Sequence, residues 1–229
     1  MIKSFYVDNF KPHFDLYSQA GQDLFVIALT GEKKQGTFLE IGAGHPHDGS
    51  NTYLLEKDFN WAGLSIDNNR DWNENLEDLW KEIRPNTTFL NQDANQVDNL
   101  SLMLYYDYLQ IDIDPPMANL SILEKLLKKC SFGCITFEHD FFRGTSETEY
   151  VRQKSRELLK EHGYDLAVSD VSIPKTQWTP QPVTSFEDWY VNLQYIDKKI
   201  YDYYSWTDDN VQYKFWQDIF HIGKNNATR

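Results

Sequence analysis

The stretch FLEIGAGHPHDGSNT, Phe38 to Thr52, ends an apolar run in an acid and then places Gly42 and Gly44 one residue apart. Such a turn carries a strand into a helix and brings backbone N–H groups against a nucleotide ligand. The dinucleotide fingerprint adds a third glycine, where helix and pyrophosphate come close. Here that position is His47, preceded by Pro46. Further acids end other apolar runs: Asp67, Asp93, Asp112 with Asp114, and Glu138 with His139 and Asp140. Acids at one end of many strands would line one crevice, the usual ligand site of an open α/β sheet.

A nucleoside cofactor without a pyrophosphate has no need of the third glycine, and S-adenosylmethionine is one. Its ammonium suits Glu40. Its carboxylate suits the N–H groups around Gly42, Ala43 and Gly44 and at the helix start, with Ser50 as a plausible N-cap. Its ribose needs an acid at the end of the second strand, and Asp67 stands near the usual offset of about 20 residues. Its adenine needs an acceptor at the end of the third strand, and Asp93, followed by Ala94, is placed for that.

On the acceptor side stand Asp112, Asp114, Glu138, His139 and Asp140. Methyl transfer to a hydroxyl needs a base, and Asp114 is the first choice, with His139 next and Asp112 beside them. Acidic neighbours would raise the pKa of His139 and weaken it as a base, which favours Asp114. Asp112, Glu138 and His139 also form a candidate set for Mg²⁺ or Mn²⁺. His45 and His47 lack a third placed ligand and are read as packing or exposed residues. Trp178 and Trp189 are candidates to stack on a sugar face, although a core tryptophan is at least as good a reading. Arg143 and Lys175 are cations that could steer an acidic acceptor.

These residues need a scaffold, and the pattern supplies one. Apolar strand segments at GTFLEIGAG, AGLSIDNN, TTFLNQDA, LMLYYDYLQIDIDPP, FGCITFEHDFF, DLAVSDVSI and FEDWYVNLQYI alternate with helical segments such as SNTYLLEKDF, NENLEDLWKEI, NLSILEKLLKK and SETEYVRQKSRELLKEHGY. A further helix is expected over Leu16 to Leu29. Alternation of this kind predicts an α/β, Rossmann-like sheet, mostly parallel, with helices on both faces. One domain is expected over 1–229. It comprises an N-terminal arm and helix (1–30), a core (31–196) and an aromatic-rich tail (197–229). PKTQWTPQPVT is read as a site loop.

Composition narrows the partners. The chain has 229 residues, 41% hydrophobic, with 35 acids against 22 basic residues and a net charge of −13. Such a surface repels a phosphate backbone, so no nucleic-acid substrate is expected. No apolar stretch reaches membrane-span length, so no membrane partner is expected. Cys130 and Cys134 make no disulfide framework, which points to a reducing, cytoplasmic setting and to two small buried residues. The expected partner is a small-molecule or saccharide acceptor, with a homo-oligomer left open.

YSQAGQDLFV, then FLEIGAGHPHDGSNTYLLEKDFNWAGLSIDNN, NQDA, IDIDPP, FEHDFF and FEDWYVN, in that order, resemble the FkbM-like family of S-adenosylmethionine-dependent methyltransferases. The likeness spans roughly Tyr17 to Asn192. It implies the class I methyltransferase fold, a seven-stranded sheet whose last strand is antiparallel. It implies methylation, chiefly of sugar or natural-product hydroxyls. It also implies that Glu40, Gly42, Gly44, Asn51, Asp67, Asn68, Asp93 and Asp112 surround the cofactor. DIDPP departs from the family's acid-x-acid-Gly, and LSIDNN ends in Asn-Asn where Pro often follows. Competing readings are an N-methyltransferase on a small amine, an NAD-dependent oxidoreductase or epimerase, and an inactive methyltransferase-fold binding subunit. The acidic strand ends would attract a cationic amine. The missing third glycine and the absence of a Tyr-x-x-x-Lys pair argue against the NAD enzyme.

Overall fold

The computed structural model describes residues 17–68, 75–173 and 183–204. The N-terminal arm, Lys175 and Trp178 in the proline-rich loop, His13, His221 and most of the aromatic tail lie outside the described residues. Along the chain run α1 (Gln22–Leu29), β1 (Thr37–Ile41), α2 (Tyr53–Phe59), β2 (Ala62–Asp67) and α3 (Leu76–Ile83). Next come β3 (Thr87–Asn91), β4 (Tyr105–Ile111), α4 (Pro116–Leu127), β5 (Ser131–Glu138) and α5 (Ser146–Glu161). The last elements are β6 (Asp165–Ile173), β7 (Val183–Val191) and α6 (Lys198–Tyr204).

The strands form one sheet in the order β3-β2-β1-β4-β5-β7-β6. β1, β2, β3, β4 and β5 are parallel, whereas β7 runs antiparallel to both β5 and β6. The strand order reverses between β1 and β4, which is where a crevice opens at the carboxyl edge of such a sheet. Alternate residues of each strand feed two cores. Phe38, Tyr108, Cys134 and Trp189 pack with Leu24 and Phe25 of α1 and with Leu54 and Leu55 of α2. Leu39, Ile41, Leu109, Ile135 and Phe137 pack with Leu120 and Leu123 of α4 and Val151 of α5. Cys130 and Cys134 are buried free thiols, each in a different core, in keeping with a packing role. No helix among the described residues is long and apolar enough to cross a membrane.

The helix expected over Leu16 to Leu29 is shorter, because the chain turns before it. Gly21 has a left-handed φ of 87°, its N–H donates to Ser18 Oγ at 3.0 Å, and Ala20 N–H donates to Gln22 Oε1 at 2.9 Å. These side-chain bonds divert the backbone from a helix until Gln22. Ser50 is likewise not the N-cap of α2, whose cap position is Thr52. Its hydroxyl instead accepts from Thr52 N and Tyr53 N.

Candidate active site

Register across the sheet places two polar rows on the α1 side. Ser65, Glu40, Gln110, Thr136 and Trp189 are successive partners from β2 to β7. One step nearer the carboxyl edge stand Asp67, Gly42, Asp112, Glu138 and Glu187, with Glu138 paired to Glu187. Gly42 is fixed there by geometry. Its φ is +80°, and a Cβ would lie 1.6 Å from the Asp112 carbonyl oxygen. Gly42 N and Ala43 N both donate to Ile66 O, which bends the turn toward β2. Gly44 N then donates to Asp67 Oδ2 at 2.9 Å, and Trp80 Nε1 donates to Gly44 O at 3.1 Å.

The loop after this turn is held by a residue that motif reading passed over. Arg84 is fully buried at the end of α3. Its Nε donates to Glu56 Oε2 at 2.7 Å, Nη2 to Thr52 Oγ1 at 2.9 Å, and Nη1 to Pro46 O at 3.1 Å and Ser50 Oγ at 3.3 Å. Glu40 accepts from Ser65 Oγ at 2.7 Å and Thr52 Oγ1 at 3.0 Å. Burial raises its pKa, and Arg84 and the two hydroxyls oppose the rise. Asn51 is buried, with Oδ1 unpartnered. His45 Nδ1 accepts from Asp48 N at 2.9 Å, and the His47 ring packs on Tyr17 and Tyr53, so both serve the loop. Asp93 opens a short 3-10 turn over Ala94–Asn99 and accepts from Asn95 N, with Ala94 buried beneath. Asn68 is exposed beside Asp67.

On the β4–β5 side, the carboxyls of Asp112 and Glu138 lie within hydrogen-bond reach of each other. Burial raises both; at Asp112 the Glu138 bond opposes the rise and nearby carboxylates add to it, whereas at Glu138 its carboxylate neighbours all add and it stands well above the usual range. Glu187, beside Glu138, is also raised well above that range by burial, although Trp189 Nε1 donates to it at 2.7 Å and Gln22 bonds to it. Asn119 of α4 ties the row together, accepting from Ile113 N at 2.8 Å and donating to Glu138 O at 3.1 Å.

Several expected residues are not brought to this row. Asp114 is 71% exposed and ion-paired to Arg143 Nη1 at 2.9 Å. Arg143 Nη2 also binds Asp140 Oδ2 at 2.6 Å. His139 directly follows Glu138, the last residue of β5, and therefore points to the opposite face. There it is fully buried: Nδ1 accepts from Phe141 N at 3.2 Å and Nε2 faces Asp188 Oδ1 at 3.4 Å. Asp188 is itself gripped by Arg156 at 2.6 and 2.8 Å. Burial alone would raise Asp188, but Arg156 and His139 outweigh it and hold its pKa far below the usual range. Asp112, Glu138 and His139 therefore do not converge on one cation. Among the described residues, His139, Asp170 and Asp188 do offer three ligand atoms within 4.8 Å of one another. Both acids, however, are already matched by Arg152 and Arg156. Trp189, a candidate sugar platform, is fully buried against Phe25 at 4.7 Å and belongs to the core.

The segment before the sheet contributes residues that sequence reading did not assign. Ser18 pairs with Gly49 of the loop after β1 and so lies over the turn. Its hydroxyl donates to Asp23 Oδ1 at 2.6 Å, and Leu24 N donates to the same oxygen at 2.9 Å. Asp23 is fully buried, and its Oδ2 has no partner. Burial pushes its pKa up to about 6 despite the Ser18 bond. The signal lay in SQAGQD, where an acid interrupts the apolar face of a predicted helix.

No protein-family model matches the sequence, and no curated protein matches it. Solved structures do resemble the fold. The cofactor-bound structure of Rv0187 from MTB is 14% identical with a TM-score of 0.56, covering 79% of this chain and 82% of its own. Precorrin-6y C5,15-methyltransferase from Geobacter metallireducens is 18% identical with a TM-score of 0.52, covering 74% and 87%. At these identities the likeness is one of fold: the chain has the Rossmann-like class I methyltransferase fold, six strands aligned and the last antiparallel.

Proposed function

We propose that the chain is an S-adenosylmethionine-dependent methyltransferase acting on a hydroxyl of a sugar or similar small molecule. The observation that carries this reading is the Gly42 turn, pressed against the Asp112 carbonyl, with Gly44 N on Asp67. The residues present fit the cofactor. Gly42, Ala43 and Gly44 keep its amino-acid end close to backbone, Asp67 and Asn68 stand where a ribose is read, and Asp93 with Ala94 where an adenine is read. Glu40 and Asn51 lie under the loop, and Asn51 Oδ1 is a buried acceptor in need of a donor. Bound there, the cofactor would supply a methyl already activated on a sulfonium. What the chain must add is alignment of the acceptor oxygen, worth on the order of 7–11 kcal/mol. It must also accept the acceptor's proton, worth roughly 10²–10⁴-fold.

The Mg²⁺ or Mn²⁺ expectation does not fit, because His139 faces Asp188 and not Glu138. No step here passes through a metal. The nicotinamide alternative is disfavoured by the site of the absent third glycine, where the His47 ring is wedged between Tyr17 and Tyr53 at 4.9 and 4.7 Å. The test is transfer of labelled methyl from S-adenosylmethionine to parallel panels of saccharides and amines, with and without EDTA. EDTA-insensitive labelling of a saccharide hydroxyl is expected. Labelling confined to amines would replace the hydroxyl acceptor with a basic nitrogen.

A further inference from the structure

Transfer to a hydroxyl needs a carboxylate oxygen that is close to the crevice, buried and free of donors. Most acids at this edge fail that requirement. Asp67 is engaged by Gly44 N, Glu40 by two hydroxyls, Glu187 by Trp189 and Gln22, Asp188 by Arg156, and Asp112 and Glu138 by each other. Asp114 is exposed and paired with Arg143. Among the described residues, Asp23 and Asp140 are the acids that keep a buried, unpartnered carboxylate oxygen. Asp140 also carries the Arg143 guanidinium on its other oxygen at 2.6 Å. Among the described residues, no cation pairs with Asp23.

Its position suits the role. Ser18, which grips Asp23, pairs with Gly49 in the loop after β1, and the adjacent Gln22 reaches Glu187 on β7. Asp23, Glu40 of β1 and Glu187 of β7 all act electrostatically on the Tyr108 hydroxyl of β4. Asp23 thus lies buried beneath the loop after β1, on the α1 face of the sheet that also carries Glu40 and Glu187. The same face carries Gln110, whose buried Oε1 also lacks a partner, and Thr136, which bonds Tyr108 at 2.7 Å.

We propose that Asp23, supplied by α1, is the catalytic base of the reaction. This rests on the methyltransferase reading above. The acceptor O–H gives its proton to Asp23 Oδ2, and the freed oxygen pair forms the new O–CH₃ bond. The S–CH₃ pair stays on sulfur and leaves a neutral thioether. Ser18 and Leu24 N hold the other oxygen and aim the carboxylate.

Sinefungin tests this without a known acceptor, because its amine replaces the sulfonium and its methyl and puts an ammonium at the transfer point. Calorimetry should show it binding at least roughly tenfold tighter than S-adenosylhomocysteine near neutral pH, as a charge-assisted bond to a buried carboxylate requires. That advantage should fade as the pH falls through about 6. D23N should bring the two affinities together. The amide keeps the acceptor oxygen used by Ser18 and Leu24 and changes only the unpartnered atom, so folding should survive. S18A removes a bond that lowers the Asp23 pKa, so the midpoint of the fade should move to higher pH. A sinefungin preference that is absent, untouched by D23N, or unmoved in midpoint by S18A would overturn the assignment. Failure of both ligands to bind the unmodified protein would instead overturn the cofactor reading beneath it.

Discussion

Gly42 sets the tolerance of the whole crevice, since any side chain there must displace the backbone of Asp112. G42A is expected to abolish measurable S-adenosylhomocysteine binding in calorimetry and to lower the melting temperature. Asp67→Ala removes a carboxylate that also organises the Gly44 amide, so cofactor affinity should fall roughly ten- to a hundredfold, as for hydrogen bonds to a charged group. Asp23 makes a stability prediction as well. Its folded pKa of about 6 lies above the ordinary 3.8. The folded state therefore holds a proton that the unfolded chain releases, and stability falls as pH rises from about 4 to 6. D23N should be more stable than the unmodified protein at pH 8 by roughly 3 kcal/mol, with the gap closing toward pH 4, read from urea unfolding at each pH. The Gly42 turn was legible because two glycines one residue apart follow an apolar run, and an acid at the end of the next strand pointed to Asp67. Asp23 was not, because its setting depends on Ser18 and on the loop at Gly49, which come together only when α1 is laid on the sheet.

At the scale of elements, the loop after β1 is tied down because α3 reaches across to it. Arg84 joins the end of α3 to residues 46–52 and to Glu56 of α2, with both charged side chains almost wholly buried. Arg84→Met would strand the Glu56 carboxylate, and removal of one partner of a buried pair costs about 3–5 kcal/mol. Urea unfolding should show that loss, and Arg84→Met with Glu56→Gln should recover part of it. Such a link could not be read from sequence, since an arginine at a helix end is usually solvated. The helix starts were legible only to within a few residues. Alternation located α1, but the Ser18 and Gln22 side chains bond the backbone and delay it to residue 22. His139 was misplaced for a related reason. Strand alternation sends Glu138 and His139 to opposite faces, a consequence that depends on β5 running on through Glu138.

For the whole molecule, apolar strand segments alternating with helices were enough to give the sheet, because a parallel strand needs a crossover before the next. The reversal of β7 had no signature in hydropathy and came only from family resemblance. The outcome is a carboxyl edge at β4, β5 and β7 that carries Asp112, Glu138 and Glu187, in a chain of net charge −13. That field should favour S-adenosylmethionine, with its net positive charge, over the neutral product S-adenosylhomocysteine, and added salt should narrow the difference. Whether this crevice holds S-adenosylmethionine is tested most directly by thermal unfolding with S-adenosylhomocysteine, with NAD as control. At 100 times its Kd the ligand should add roughly 2.7 kcal/mol of stability, seen as a rise in Tm that Asp67→Ala diminishes. An unchanged Tm with S-adenosylhomocysteine, together with a rise on adding NAD, would make this a dinucleotide site instead.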